Sequence, residues 1–277
     1  MPTSNSRLPG VGLALGGGGV RGYAHIGVLR ALEEGNISIN FIAGVSAGAL
    51  VGALYAKYKS ADTVQKIIFS SNWRNFFGAG DISLAGGLVK GQRLEGYLRE
   101  VLEDTSFAEL KVPFKAIATD YETGERVEIM EGKVAPAIHA SAAFPFVFEP
   151  VLWQERRLYD GGMSDPVPCD TCRGLSDINI VIGVNLDNQS TLLKTMGQGQ
   201  NMVTSGVRAI ETLKYRLSKD CLKLADVIVE PQVGEYGIFD LKSLVQKNML
   251  QIINEGEVAG KAAVPQIKKL IEEISKK

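Results

Sequence analysis

The chain has 277 residues, of which 45% are hydrophobic, and its 30 basic and 31 acidic side chains leave it one charge from neutral. That composition is ample for a buried core and excludes both disorder and a disulfide miniprotein. The charge balance excludes a global field that would draw in nucleic acid or an anionic membrane, so any membrane contact has to be local and apolar. Met1 to Pro9 lacks the apolar core of a secretory signal, and no run of about twenty apolar residues follows it. Three cysteines fit free thiols in a reducing compartment better than a disulfide framework. A cytoplasmic protein, at most peripheral at membranes, is expected.

In chain order, apolar runs with the look of buried parallel strands alternate with amphipathic helical stretches. The strands are predicted at Val11–Leu15, Ile39–Val45, Phe114–Thr119, Ile178–Leu186 and Val227–Val229, with a short one at Arg157–Tyr159. The helices are predicted at Ala24–Glu34, Ala47–Lys57, Leu94–Glu103, Val203–Leu217 and Ala259–Ile274. This alternation predicts an α/β fold, a three-layer α/β/α sandwich around a mostly parallel central sheet. No repeat or linker interrupts it, so residues 1–277 read as a single domain with core motifs in 11–185 and a C-terminal helical extension over 190–277. Between Trp73 and Gly91, bulky Trp73, Phe76 and Phe77 are followed by several glycines. This segment reads either as a mobile apolar lid or as a loop whose aromatics cover the core.

Three motifs carry chemistry. Gly16-Gly17-Gly18-Gly19-Val20-Arg21-Gly22 stands between a strand and a helix, where successive backbone N–H groups meet a positive helix end and attract anionic atoms. Its spacing matches the dinucleotide fingerprint, but the next strand ends in Gly44-Val45-Ser46, with no carboxylate to hold a ribose. Gly44-Val45-Ser46-Ala47-Gly48 is a serine at a sharp strand-to-helix turn, flanked two positions each way by the glycines that such a turn needs. The only histidines, His25 and His139, both precede the best acidic candidate, so the order Ser, acid, His fails and a carboxylate has to serve as the base. Tyr159-Asp160-Gly161-Gly162 supplies one at a strand end. Asp120 and Glu149 read better as loop-capping or solvated acids. Cys169-Asp170-Thr171-Cys172 lacks the further ligands of a zinc site and reads as buried thiols behind Pro168.

Taken in this order, the set resembles the patatin-like phospholipase family over roughly residues 11–185. Ala118-Thr119-Asp120, Thr123-Gly124-Glu125 and Ala140-Ser141-Ala142-Ala143-Phe144-Pro145 also look like stretches of its small bacterial members. Asp165, before Pro166, stands where such proteins often carry Asn. The resemblance implies a serine esterase or lipid acyl hydrolase of phospholipase A or lysophospholipase type, without metal or cofactor. Ser46 would be the nucleophile and Asp160 the base, with an oxyanion hole of Gly17, Gly18 and Gly19 and with Gly22 opening the helix behind them. Arg21 would either add positive charge or, as we favour, brace the loop. The substrate would be a lipid or other acyl ester, with transient membrane contact through Trp73, Phe76 and Phe77. A short-chain esterase or acyl thioesterase would use the same dyad, and a non-catalytic regulator would keep the glycine loop for a nucleotide or other anion.

Overall fold

The computed structural model describes residues 8–70, 89–187, 202–237 and 245–276. The candidate lid from Trp73 through Leu88 therefore lies outside the described residues, as do Trp73, Phe76 and Phe77.

In chain order the elements are β1 (Gly10–Leu15), α1 (Ala24–Glu34), β2 (Phe41–Val45), α2 (Ala47–Tyr58), α3 (Ala61–Ser70), α4 (Gln92–Val101), β3 (Phe114–Asp120) and β4 (Arg126–Ile129). They continue with α5 (Val134–Ser141), β5 (Val151–Trp153), β6 (Arg156–Asp160), α6 (Cys169–Arg173), β7 (Ile178–Val184), α7 (Met202–Cys221), β8 (Val227–Val229) and α8 (Gln246–Ser275). The strands form one sheet in the order β5-β6-β3-β2-β1-β7-β8, with β4 also on β3. From β3 to β8 every pairing is parallel, while β4, β5 and β6 pair antiparallel.

The predicted layering follows from the period of two along the strands. Val11, Leu13 and Leu15 of β1 enter one apolar cluster with residues of α1, α2 and α8. Ala14 enters the other, with Ala43, Val181, Cys169 and Cys172. Both faces are covered, which is why the strands read as continuous apolar runs rather than alternating ones.

The predicted C-terminal helix begins earlier than its pattern suggested, at Gln246, because Gly256 belongs inside it. A Cβ on Gly256 would lie 1.9 Å from the Ala24 carbonyl oxygen, so the glycine is a packing surface against α1 and not a helix stop. The C-terminal region is also more than a helical extension: β8 lies in the main sheet beside β7, and α7 reaches the site described next. Among the described residues, no helix is long and apolar enough to cross a membrane.

Candidate active site

The sheet register brings Ser46 and Asp160 together. Residues Ala116 and Ile117 of β3 pair with β2 and also with β4, so these two strands flank β3 on opposite sides. Ala118 and Thr119 pair with β4 and also with β6, which puts β6 on the same side as β2. β2 runs parallel to β3 and ends at Val45 beside Ile117. β6 runs the other way and ends at Asp160 beside Ala118. β2 and β6 thus meet tip to tip along one flank of β3, with β6 among the antiparallel strands of the mostly parallel sheet. The Ser46 side chain stands close enough to the Asp160 carboxylate to draw its pKa down.

Ser46 sits at the turn with φ 54° and ψ −118°, a left-handed backbone that a side chain resists. Its N–H donates to Ser141 Oγ at 2.9 Å, and Ser141 Oγ donates to the Ile117 carbonyl at 2.6 Å, so α5 fastens the turn to β3. A Cβ on Gly48 would lie 2.3 Å from the Leu15 carbonyl oxygen, and one on Gly44 would lie 2.6 Å from that of Gly48. Backbone blocks both positions, which gives the G-x-S-x-G spacing its reason. α2 opens directly behind Ser46, with the unbonded amides of a helix N-terminus.

Asp160 is 1% exposed. Its side chain accepts the Gly162 N–H at 2.8 Å. Burial holds its pKa above the ordinary carboxylate value, and it prevails over the Lys214 ammonium, the Ser46 hydroxyl and the Gly162 N–H, which pull the other way. Gly161 is pressed on β3, where a Cβ would lie 2.2 Å from the Ile117 carbonyl oxygen.

The glycine loop lies beside the elbow: a Cβ on Gly17 would be 3.5 Å from Ser46 Cβ, and one on Gly22 would be 2.5 Å from Ala47 Cβ. One expected donor is corrected. The Gly17 N–H is committed to the Pro166 carbonyl at 3.2 Å, and the Gly16 N–H to that of Val184 at 3.1 Å. Among the described residues the amides of Gly18 and Gly19 have no acceptor. Arg21 braces this loop. It is fully buried, donates from Nε to the Gly18 carbonyl at 3.2 Å, and from Nη2 reaches Asp187 at 3.1 Å and Glu211 at 3.4 Å.

The other candidates fall away from the reacting atoms. His25 is buried, and its Nε2–H donates to the Gly16 carbonyl at 2.8 Å. Burial lowers its pKa to about 4, so it stays neutral beneath the loop. His139 Nδ1 is 3.0 Å from Glu95 Oε2. Asp120 accepts the N–H groups of Thr123 and Glu122 and pairs with Arg156 at 2.7 Å, which together hold it down at about 2. The Glu149 N–H bonds the Val89 carbonyl. Asp165 pairs with Arg126 at 3.0 Å while burial holds its pKa up. Cys169 and Cys172 open a helix but are core residues, and burial pushes the Cys172 thiol up to about 12. Among the described residues, no three His, Cys, Asp or Glu side chains are grouped to hold a metal.

Sequence reasoning missed three buried charges beside this site, Asp187, Glu211 and Lys214. Lys214 Nζ is 3.2 Å from Asp187 Oδ2 and 3.6 Å from the Cβ position of Gly17. On α7, Glu211 and Lys214 are spaced like any exposed i, i+3 pair, which hides them. Asp187 did carry a signal, because it stands just past an apolar strand on the side where α/β sites form.

Comparison with known proteins agrees with this architecture. The family profile described as patatin-like phospholipase matches residues 13–173, more than half of the chain. The chain belongs to the patatin-like phospholipase family. An NTE family protein of Mycobacterium tuberculosis is 37% identical over 182 residues, 65% of this chain and 50% of that protein. A patatin-like phospholipase domain-containing protein of Caenorhabditis elegans is 32% identical over 174 residues, 60% of this chain and 13% of that protein. The chain thus spans half or less of these relatives. VipD from Legionella pneumophila shares the fold with a TM-score of 0.66 at 12% identity, covering 94% of this chain and 67% of that one.

Proposed function

We propose that this chain is a lipid acyl hydrolase that cleaves carboxylic esters of phospholipids or lysophospholipids with Ser46 as nucleophile and Asp160 as general base. The observation that carries the reading is the meeting of the Ser46 elbow and the buried Asp160 carboxylate at neighbouring positions of β3, with two loop amides that have no acceptor among the described residues beside them. Asp160 takes the Ser46 proton as Oγ attacks the ester carbonyl, and the negative oxygen that develops is held by the Gly18 and Gly19 N–H groups. Collapse of the adduct expels the alcohol, which leaves with the proton from Asp160, and Ser46 remains acylated. Asp160 then takes a proton from water as it attacks the acyl group, and the fatty acid departs as Oγ recovers its proton. The raised pKa of Asp160 suits this cycle, because a base closer to the operating pH accepts a proton more readily.

The test is labelling with a fluorophosphonate, which reacts only with an activated serine. Wild type should label at Ser46 and hydrolyse p-nitrophenyl esters and phospholipid vesicles. Ser46→Ala should lose both activities by a factor of about 10⁴ or more while keeping its thermal transition. Retention of hydrolysis in that variant would move the nucleophile elsewhere. Wild type that neither labels nor turns over ester would favour an anion-binding role for the glycine loop.

A further inference from the structure

Lys214 is the buried group that the reaction as described does not use. It is 4% exposed, and a lysine ammonium is buried only where something compensates it. Asp187 is its direct partner at 3.2 Å, but the Asp187 carboxylate is shared, since its other oxygen holds Arg21 at 3.1 Å. Arg21 in turn reaches Glu211 at 3.4 Å and the Gly18 carbonyl at 3.2 Å. Two cations and two anions therefore form one buried chain, from α7 to the glycine loop. Asp160 stands at its lysine end. The Cβ position of Gly162 lies 2.6 Å from Lys214 Cε and 3.0 Å from Asp160 Oδ1, so the lysine stem and the carboxylate flank one point that only a glycine leaves open. On the other side Lys214 Nζ lies over Gly17, next to Ser46.

We propose that Lys214 is a positioning residue of the dyad: its buried ammonium keeps Asp160 ionised and aimed at Ser46, and through the shared Asp187 it ties the base turn to the oxyanion loop. This rests on the reading of Ser46 and Asp160 as nucleophile and base. The groups that face Asp160 are the Lys214 ammonium from α7, the Asp187 carboxylate from the end of β7, the Ser46 hydroxyl from the elbow and the Gly162 N–H from its own turn. Of these Lys214 alone is cationic, and it acts against both burial and Asp187. An opposite charge at this range moves a carboxylate by about 1–3 pKa units.

The experiment is the pH profile of fluorophosphonate labelling for wild type and Lys214→Met, which keeps the length of the stem and removes the charge. The acid limb should move up by about 1–3 pH units in the variant. Labelling should then fall on the acid side of the profile and recover toward wild type at high pH. An unmoved limb would overturn the proposal. So would a loss as deep as that of Ser46→Ala at every pH, because Lys214 would then stand in the proton path. Should Lys214→Met fold poorly with Asp187 stranded, the Asp187→Asn/Lys214→Met double variant removes both charges and should move the limb in the same direction but less far, because Asp187 pulls the other way; an unmoved limb there too would overturn the proposal. A second measurement needs no catalysis: at pH 7, Lys214→Met should lower the melting temperature less in an Asp160→Asn background than in wild type. Equal losses would overturn the proposal even if the serine never labels, whereas failure of wild type to label would count against the dyad alone.

Discussion

The two halves of this site are built by opposite means. Around Ser46 the protein uses backbone: a left-handed turn, glycines pressed on carbonyl oxygens, and one serine hydroxyl as a strut. Around Asp160 it uses buried charge, with Lys214, Asp187, Arg21 and Glu211 linked behind the carboxylate. In the proposed reaction the first device directs a nucleophile that carries no charge until it reacts. The second sets the protonation of a group that must be charged before it can act. Backbone constraint leaves a spacing in the sequence, because the glycines have to fall at fixed offsets. Charge compensation leaves none, because its members come from α7, the end of β7 and the glycine loop.

Asp160→Asn should break the charged half most severely. It preserves shape but cannot take a proton, so turnover of p-nitrophenyl esters should fall by three orders of magnitude or more. Its stability should move the other way. Since the native pKa of Asp160 is raised, this group favours folding below its ordinary value of 3.8, and that contribution is lost as pH rises through the native value. At pH 7 the asparagine variant should melt no lower than wild type, and any advantage should vanish near pH 3. A clear drop in melting temperature at neutral pH would mean that Asp160 is held for packing.

Gly48→Ala attacks the backbone half. Its new methyl would face the Leu15 carbonyl oxygen at 2.3 Å and that of Gly16 at 2.7 Å, and neither is the end of a flexible side chain. The elbow has to move, which should cost about 1–3 kcal/mol in denaturant unfolding and about a hundredfold in kcat. Wild-type kinetics in this variant would show the spacing to be incidental.

The smallest effect on rate belongs to His25→Gln, since glutamine can still donate to the Gly16 carbonyl. Hydrolysis should stay within about tenfold of wild type, whereas a loss near that of Ser46→Ala would restore an imidazole to the proton path. The pH dependence of stability should change more. A histidine lowered from 6.5 to about 4 contributes stability above its unfolded value that is lost as pH falls through the native one. The variant should therefore lose about 3 kcal/mol less than wild type between those limits, read by urea unfolding.

Much of this architecture was legible in the sequence. The helix predicted at Ala24–Glu34 is α1 residue for residue, and β8 likewise spans Val227–Val229. These elements have the uniform apolar content or helical period that burial imposes. β4 was missed because Arg126–Ile129 is half polar and resembles a loop, and β5 because the three residues Val151–Trp153 are too few to show a period. The helix Ala61–Ser70 was missed as well. In the candidate site, Ser46, Asp160 and the loop glycines stood out in the sequence because turns constrain residue type, and Gly17 was assigned a free N–H only because sequence says nothing of which way an amide points. Ser141 lay inside a stretch that resembled the family, yet its contact with the Ser46 N–H depends on where α5 docks, which no local pattern encodes.

The tip-to-tip meeting of β2 and β6 makes the dyad separation a matter of strand register. Both tips hang on consecutive residues of β3, Ile117 and Ala118, so one strand serves as the ruler for the proposed nucleophile and base alike. That ruler is graduated in whole residues of about 3.3 Å, and each step also turns the side chain to the other face of the sheet. The interval between Ser46 and Asp160 is therefore a discrete quantity of the fold. A bulge or slip in β3 would not lengthen that interval gradually, but would carry the carboxylate to the wrong side of the sheet.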